Sequence, residues 1–315
     1  MPLTIGEVHT ALLLNSTAVP TDTAAELLSI VPGGSARTRQ RPIRYAWSSE
    51  ILTGVDCSAP LTERREVRIV GTPATHLSLT GGHIIQAGTH ATFRHDKTGR
   101  RRPWAHYLAQ PGTLEVLGKA SEASLATGFL RGPATESSLD LGAVSMRALD
   151  AIQRSEQLDR NPPFRSRRTR LRWSAETSDG EQEATFTLGA DGLRTLRLRA
   201  AEPNPQALAN FCADLALHDW LLSTLLDIVD RAFARSRPTP ELIGMLRPGI
   251  DHLIPAWLPA TNESRTLGAI WQELDLRAGF SLQWQKTVER IRDQLSVGVI
   301  EALRPSIEPT RSEYG

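Results

Sequence analysis

Apolar and polar residues alternate over short stretches in the first half of the chain and recur every three to four residues in the second, a change from strand to helix periodicity. Residues 4–14 (TIGEVHTALLL) mix alternation with an apolar run and end at Asn15-Ser16, which predicts a partly buried strand. A short helix is predicted over 24–30, capped by Thr21 or Thr23 and stopped by Pro32-Gly33-Gly34. Segments 43–47, 67–70, 75–79, 83–87 and 89–93 have strand chemistry, with Thr80-Gly81-Gly82 as the clearest hairpin turn. A further strand is predicted over 114–117, and a helix over 139–157 through Leu141, Val144, Leu149 and Ile152.

After a linker over 159–168, TRLRWSA, EATFTLG and TLRLR read as a three-stranded antiparallel meander, turning at Ser178-Asp179-Gly180 and Asp191-Gly192. Leu171, Trp173, Ala184, Phe186, Leu188, Leu196 and Leu198 alternate onto one face. Arg168, Arg170, Arg172, Glu183, Thr185, Thr187, Arg197 and Arg199 fall on the other, which reads as an arginine-rich surface. Asn204-Pro205 then starts a long helix to about residue 235, since Asn caps free amides and Pro loses no helical bond in the first turn. Further helices are predicted over 240–245, 249–257, 264–276 and 282–303. The expected fold is α+β: a strand-rich domain over 1–160, the meander with a helical domain over 161–304, and a flexible tail over 305–315.

Composition narrows the function classes. At 315 residues, 40% hydrophobic and 23% charged, the chain is long enough to bury a core without staples. A net charge of +1 removes any global attraction to nucleic acid or an acidic membrane, so such binding would need a local patch. Cys57 and Cys212 read as reduced thiols rather than a disulfide framework. The longest early apolar run, residues 11–14, is too short for a signal peptide or a spanning helix, so a cytoplasmic location without membrane insertion is expected.

Candidate chemistry is sparse. The chain carries no GxxxxGK[ST], no GxGxxG after a strand, no GxSxG, no HExxH and no paired CxxC, and no cofactor is expected. His76, His83, His90, His95 and His106 crowd into one segment, and imidazoles converging from adjacent strands can hold zinc. Their seven-residue steps match no ligand pattern, which leaves solvated or hydrogen-bonded histidines as the alternative. His218 lies one helical turn after Asp214, the placement of an imidazole oriented for general-base or ligand work, or of a core histidine satisfied by Asp214. Arg168, Arg170, Arg172, Arg197 and Arg199, with Arg165 and Arg167 ahead of them, can meet an acidic protein surface or phosphates, or simply water. Without interleaved aromatics on that face, nucleic acid ranks below a protein partner. A second basic run from Lys97 to Arg102 reads as an exposed hairpin loop anchored by Trp104, His106 and Tyr107. Trp220, Trp257, Trp271 and Trp284 read as core or interface anchors.

The segments GEVHTALLLNS (6–16), RPIRYAWS (41–48), LTGVDC (52–57) and PQALANFCADLALHDWLLSTLLDIVDR (205–231) resemble a conserved actinobacterial family of unknown function. Its genes stand in a small cluster with those for a variant P-loop protein and a methyltransferase. The resemblance carries no catalytic residues; it implies a dedicated protein partner from the same cluster. The absence of catalytic signatures makes the leading expectation a non-enzymatic adaptor or assembly component, whose helical part buries a tryptophan-bearing surface against a partner and whose arginine face meets acidic groups, so that Glu at Arg170, Arg172 and Arg197 abolishes binding without unfolding. An enzyme of unfamiliar type using His76, His83, His90, Asp214 or His218, with or without a metal, is the alternative, and nucleic-acid binding through the arginine strands is the third.

Overall fold

A computed structural model describes residues 2–40, 43–62, 65–95, 99–132, 135–178, 180, 182–202, 204–234, 238–257 and 265–303. The expected tail over 305–315, Lys97 and Asp179 lie outside these residues. The fold is α+β, with a strand-rich N-terminal part and a helical C-terminal part. Among the described residues no helix is long and apolar enough to cross a membrane.

Among the described residues twelve strands form one mixed sheet: β1 Leu3–Leu12, β2 Arg37–Arg39, β3 Tyr45–Trp47, β4 Ile51–Leu52, β5 Val55–Pro60, β6 Glu66–Thr72, β7 Ala74–Thr80, β8 Ile84–His95, β9 Thr113–Val116, β10 Thr169–Thr177, β11 Glu183–Leu188 and β12 Arg194–Ala200. The main path runs β11-β12-β10-β1-β8-β7-β3-β2. The strand expected over 4–14 is thus central and is buried along its whole length, not only in part. Because β10 pairs with β1, the sheet runs unbroken across residues 160 and 161. Gly81 and Gly82, at φ 63° and 75°, make the predicted turn between β7 and β8. The segments expected as two strands over 83–87 and 89–93 are one strand, β8, which runs through Gly88 without a break.

The expected meander takes a different order. β11 does pair antiparallel with β12, but β12 sits between β10 and β11 and runs parallel to β10. Leu196 and Leu198 of β12 are fully buried, whereas Leu188 of β11 is 62% exposed. β12, whose alternate leucines are buried, takes the inner position, and β11 becomes the edge.

Helices cover both faces. On one face lie α1 (Thr21–Leu28), α3 (Glu122–Arg131) and α4 (Leu141–Gln153), packed through Leu27, Leu125, Phe129, Leu149 and Ile152. A short α2 (Trp104–Leu108) precedes β9. The other face carries α5 (Pro205–Phe233), then α6 (Thr239–Pro248), a π turn and a 3-10 turn over 249–256, α7 (Arg265–Ala278) and α8 (Phe280–Leu303). Asn204 caps α5 as expected, its side chain accepting from the Gln206 N–H at 3.0 Å. Trp173 and Trp220 anchor this second layer, the Trp220 Nε1–H donating to the Arg167 carbonyl at 2.9 Å. The Trp173 indole crosses β1 at Gly6, where a Cβ would stand 2.4 Å from the ring. Only glycine permits that approach.

Candidate functional site

Between the sheet and the N-terminal half of α5 lies a cavity of about 940 Å³. Its helical wall follows from one feature of α5: Gln206, Asn210, Asp214 and His218 recur every fourth residue, so they form one polar stripe on a largely buried helix. The opposite wall comes from strand alternation. His76, Ser78 and Thr80 of β7 and Gln86 and His90 of β8 point to the same side, with Trp173 of β10 beside them. Tyr45 and Trp47 of β3 close one flank, and the exposed Arg37, Arg39 and Glu50 stand at the rim. Polar side chains therefore face one another where an apolar helix-on-sheet contact is the ordinary arrangement.

Several of these groups are incompletely paired. Among the described residues, the buried Nε2 of His76, Oγ1 of Thr80 and Nε1 of Trp173 meet no hydrogen-bond partner. Buried polar atoms are normally satisfied, so three orphans lining one cavity mark a place for water or ligand. Gln86 is used structurally, its Nε2 donating to Thr10 Oγ1 at 3.0 Å and to the Ala213 carbonyl at 2.9 Å, which ties the helix to the sheet.

Burial shapes the acid–base character. It pushes the Asp214 carboxyl up to about 6, against the opposing pull of His218 and Arg39. The same cause holds the His90 imidazole down at about 4 and lowers that of His76. These two rings stack 5.9 Å apart, across the gap left by Gly88 opposite His76. His76 Nε2 is 3.9 Å from Glu50 Oε1. A carboxyl that titrates near neutrality beside neutral imidazoles can exchange a proton with a bound molecule.

The candidate residues thus divide. His76, His90, Asp214 and His218 line the same cavity, although they come from three distant segments. His218 is satisfied by the Asp214 backbone carbonyl, 2.7 Å from its Nδ1, rather than by the carboxylate, and its ring meets Trp257 and Trp271. His83 is elsewhere, its ring against His252. His95 lies near Glu122 at 3.6 Å, and His106 meets Glu115 at 2.5 Å. Among the described residues no three His, Cys, Asp or Glu side chains are arranged to hold a metal ion. Sequence reasoning missed Tyr45, Thr80, Gln86 and Trp173, whose facing depends on strand register.

The arginine face needs a correction. Its alternation is right, but α3 covers it at β10, so Arg172 is only 3% exposed and pairs with the buried Glu7 at 2.9 Å. Arg172 is not available as a contact surface. Arg170 also reaches Glu7 at 3.3 Å, Arg168 pairs with Asp150 at 2.8 Å, and Arg197 and Arg199 with Glu176 at 3.0 and 4.0 Å. These four remain partly exposed, with carboxylates already beside them. Trp257 and Trp284 stack at 4.2 Å and, with Trp220 and Trp271, belong to the core. Cys57 and Cys212 are free thiols, and burial pushes Cys57 up to about 11. No protein-family model, no curated protein and no solved structure matches the chain.

Proposed function

We propose that the protein is an enzyme acting on a small molecule held in the cleft between α5 and the sheet, by proton transfer centred on Asp214. The observation that carries this reading is the meeting of the α5 polar stripe with the β7 and β8 polar rows around a cavity lined by three orphaned buried polar atoms. In this mechanism Asp214 takes or returns a proton at the ligand. His76 and His90, kept neutral by burial, orient it by hydrogen bonding, and the Trp173 Nε1–H donates to an acceptor atom on it. Arg37 and Arg39 favour a negatively charged group towards the rim.

The test is to incubate the protein and Asp214→Asn with a protein-free bacterial metabolite extract and follow conversion by mass spectrometry. The wild type should convert a molecule that Asp214→Asn still retains but turns over about 10²–10⁴-fold more slowly. Conversion at equal rates, or no conversion by the wild type, contradicts the assignment.

A partner-binding role is the second reading. The observation favouring it is the exposure of Leu188 at the β11 edge and of Leu276 and Leu282 on the neighbouring helices, at 62%, 85% and 61%. A protein companion retained through purification from the native host would support it, and a partner encoded in the same gene cluster is the one the sequence resemblance implies.

A further inference from the structure

A second cavity, of about 810 Å³, opens between the end of β1, the C-terminal end of α4 and the segment 160–168. Its floor is apolar, made by Ala11, Leu12, Leu14, Pro162 and Phe164, while Arg154, Arg160, Arg165 and Arg168 surround it with Asp150 as the acidic residue among its lining. Arg168 is already paired with Asp150. Among the described residues none of the other three guanidinium groups meets a carboxylate. In a chain of net charge +1 this is a local excess of positive charge over an apolar floor.

The segment that presents these groups is built rather than loose. Arg160 holds φ at 60°, a left-handed conformation that a residue of this size rarely adopts. It is fixed there by its N–H to the Leu14 carbonyl at 3.0 Å, by Asp159 accepting from the Ser16 backbone and hydroxyl, and by the Asp159 N–H donating to Asn15 Oδ1 at 3.0 Å. The Arg160 guanidinium also reaches the Arg154 backbone carbonyl at 3.5 Å, which lays its side chain against the end of α4.

We propose that this cavity binds a small phosphorylated ligand, its phosphate held by Arg154, Arg160 and Arg165 and its apolar part resting on Leu14, Pro162 and Phe164. Guanidinium groups match phosphate oxygens in a two-point geometry, and several around one concavity favour a multiply charged anion over a single carboxylate. The site is distinct from the α5 cleft, with which it shares no lining residue.

The test is calorimetric titration of the full chain with inorganic pyrophosphate at low salt. Saturable binding is expected, with at least a tenfold loss in Arg154→Glu/Arg165→Glu and no change in Gly88→Leu, whose substitution lies in the other cavity. Both arginines are exposed, so the double variant should keep the wild-type urea midpoint. Absence of saturable binding at millimolar pyrophosphate, or equal binding by the double variant, would overturn the proposal. A single-stranded oligonucleotide binding more tightly than pyrophosphate, and equally lost in the double variant, would replace the small ligand by a nucleic-acid backbone.

Discussion

Arg172→Ala should lower the unfolding free energy by about 3–5 kcal/mol, because it strands a buried carboxylate without its main partner. Glu7 is fully buried in the central strand, and burial raises its pKa even against the pull of Arg172 and Arg170. Arg172 meets Glu7 Oε2 at 2.9 Å under the cover of α3, whereas 41% of the Arg170 side chain is exposed, so its charge is more screened by water. Replacing both partners, as Glu7→Gln/Arg172→Met, should recover most of the loss, since neither charge then has to be desolvated. Urea unfolding at neutral pH measures all three proteins, and a loss below about 1 kcal/mol for Arg172→Ala would contradict the buried pair. Arg172→Glu, conceived from sequence as a probe of partner binding, would instead place two carboxylates together inside the fold.

Stability should fall steeply on acidification from pH 6.5 towards 4, by about 1.5–2.5 kcal/mol per pH unit near pH 5. Burial holds His9, His83 and His90 at about 4, well below the usual 6.5. Between these values the unfolded chain binds their protons and the folded one does not, so their stabilising effect is complete above 6.5 and is lost as pH falls. Asp214 acts in the opposite sense. Its folded value of about 6 exceeds its ordinary 3.8, so in the same window the folded state binds more protons and acidification favours folding through this group. Glu7, also raised by burial, has the same sign as Asp214. His76, lowered by burial, adds to the imidazole side and Asp219, raised by burial, to the carboxyl side, so the balance is a net uptake of about one to two protons on unfolding, about 1.4 kcal/mol per pH unit each. Asp214→Asn should therefore steepen the profile by roughly one proton. Urea midpoints at pH 7, 6 and 5 decide the matter, and a flat profile would show that these imidazoles are not held neutral.

The parts legible in the sequence are those with local causes. Asn204-Pro205 marked the start of α5, Thr80-Gly81-Gly82 marked a hairpin, and the alternation of Leu171, Trp173, Leu196 and Leu198 marked the core face of β10 and β12. Insertion of β12 between β10 and β11 has no local signature, since its strands and turn read the same in either order. Burial of Arg172 was hidden for a similar reason: α3, which covers β10 there, reaches it from far along the chain. A strand covered on both faces must pair any charge it carries, and Glu7 inside GEVHTALLL was the available clue.

The cleft was half legible. His76, His90, Asp214 and His218 were singled out by residue type, but only the β7–β8 register brings His76 and His90 to the side facing α5 while His83 falls outside it. The four-residue recurrence of Gln206, Asn210, Asp214 and His218 was present in the sequence and is a polar stripe in its own right. The apolar stripe through Leu208, Phe211, Leu215 and Leu222 dominated that segment and masked it.

Gly88 offers the most direct measurement of whether the cleft is a binding site. A Cβ there would meet only Val8 Cγ2, at 3.5 Å, so a leucine at this position can fill the cavity without displacing backbone. Wild type and Gly88→Leu would each be equilibrated with a protein-free metabolite extract, separated by gel filtration, denatured and analysed for released small molecules. A molecule carried at near one per chain by the wild type, and at least tenfold less by Gly88→Leu of equal urea midpoint, is the predicted result. The same small molecules at the same occupancy on both proteins, or none on the wild type, would contradict it.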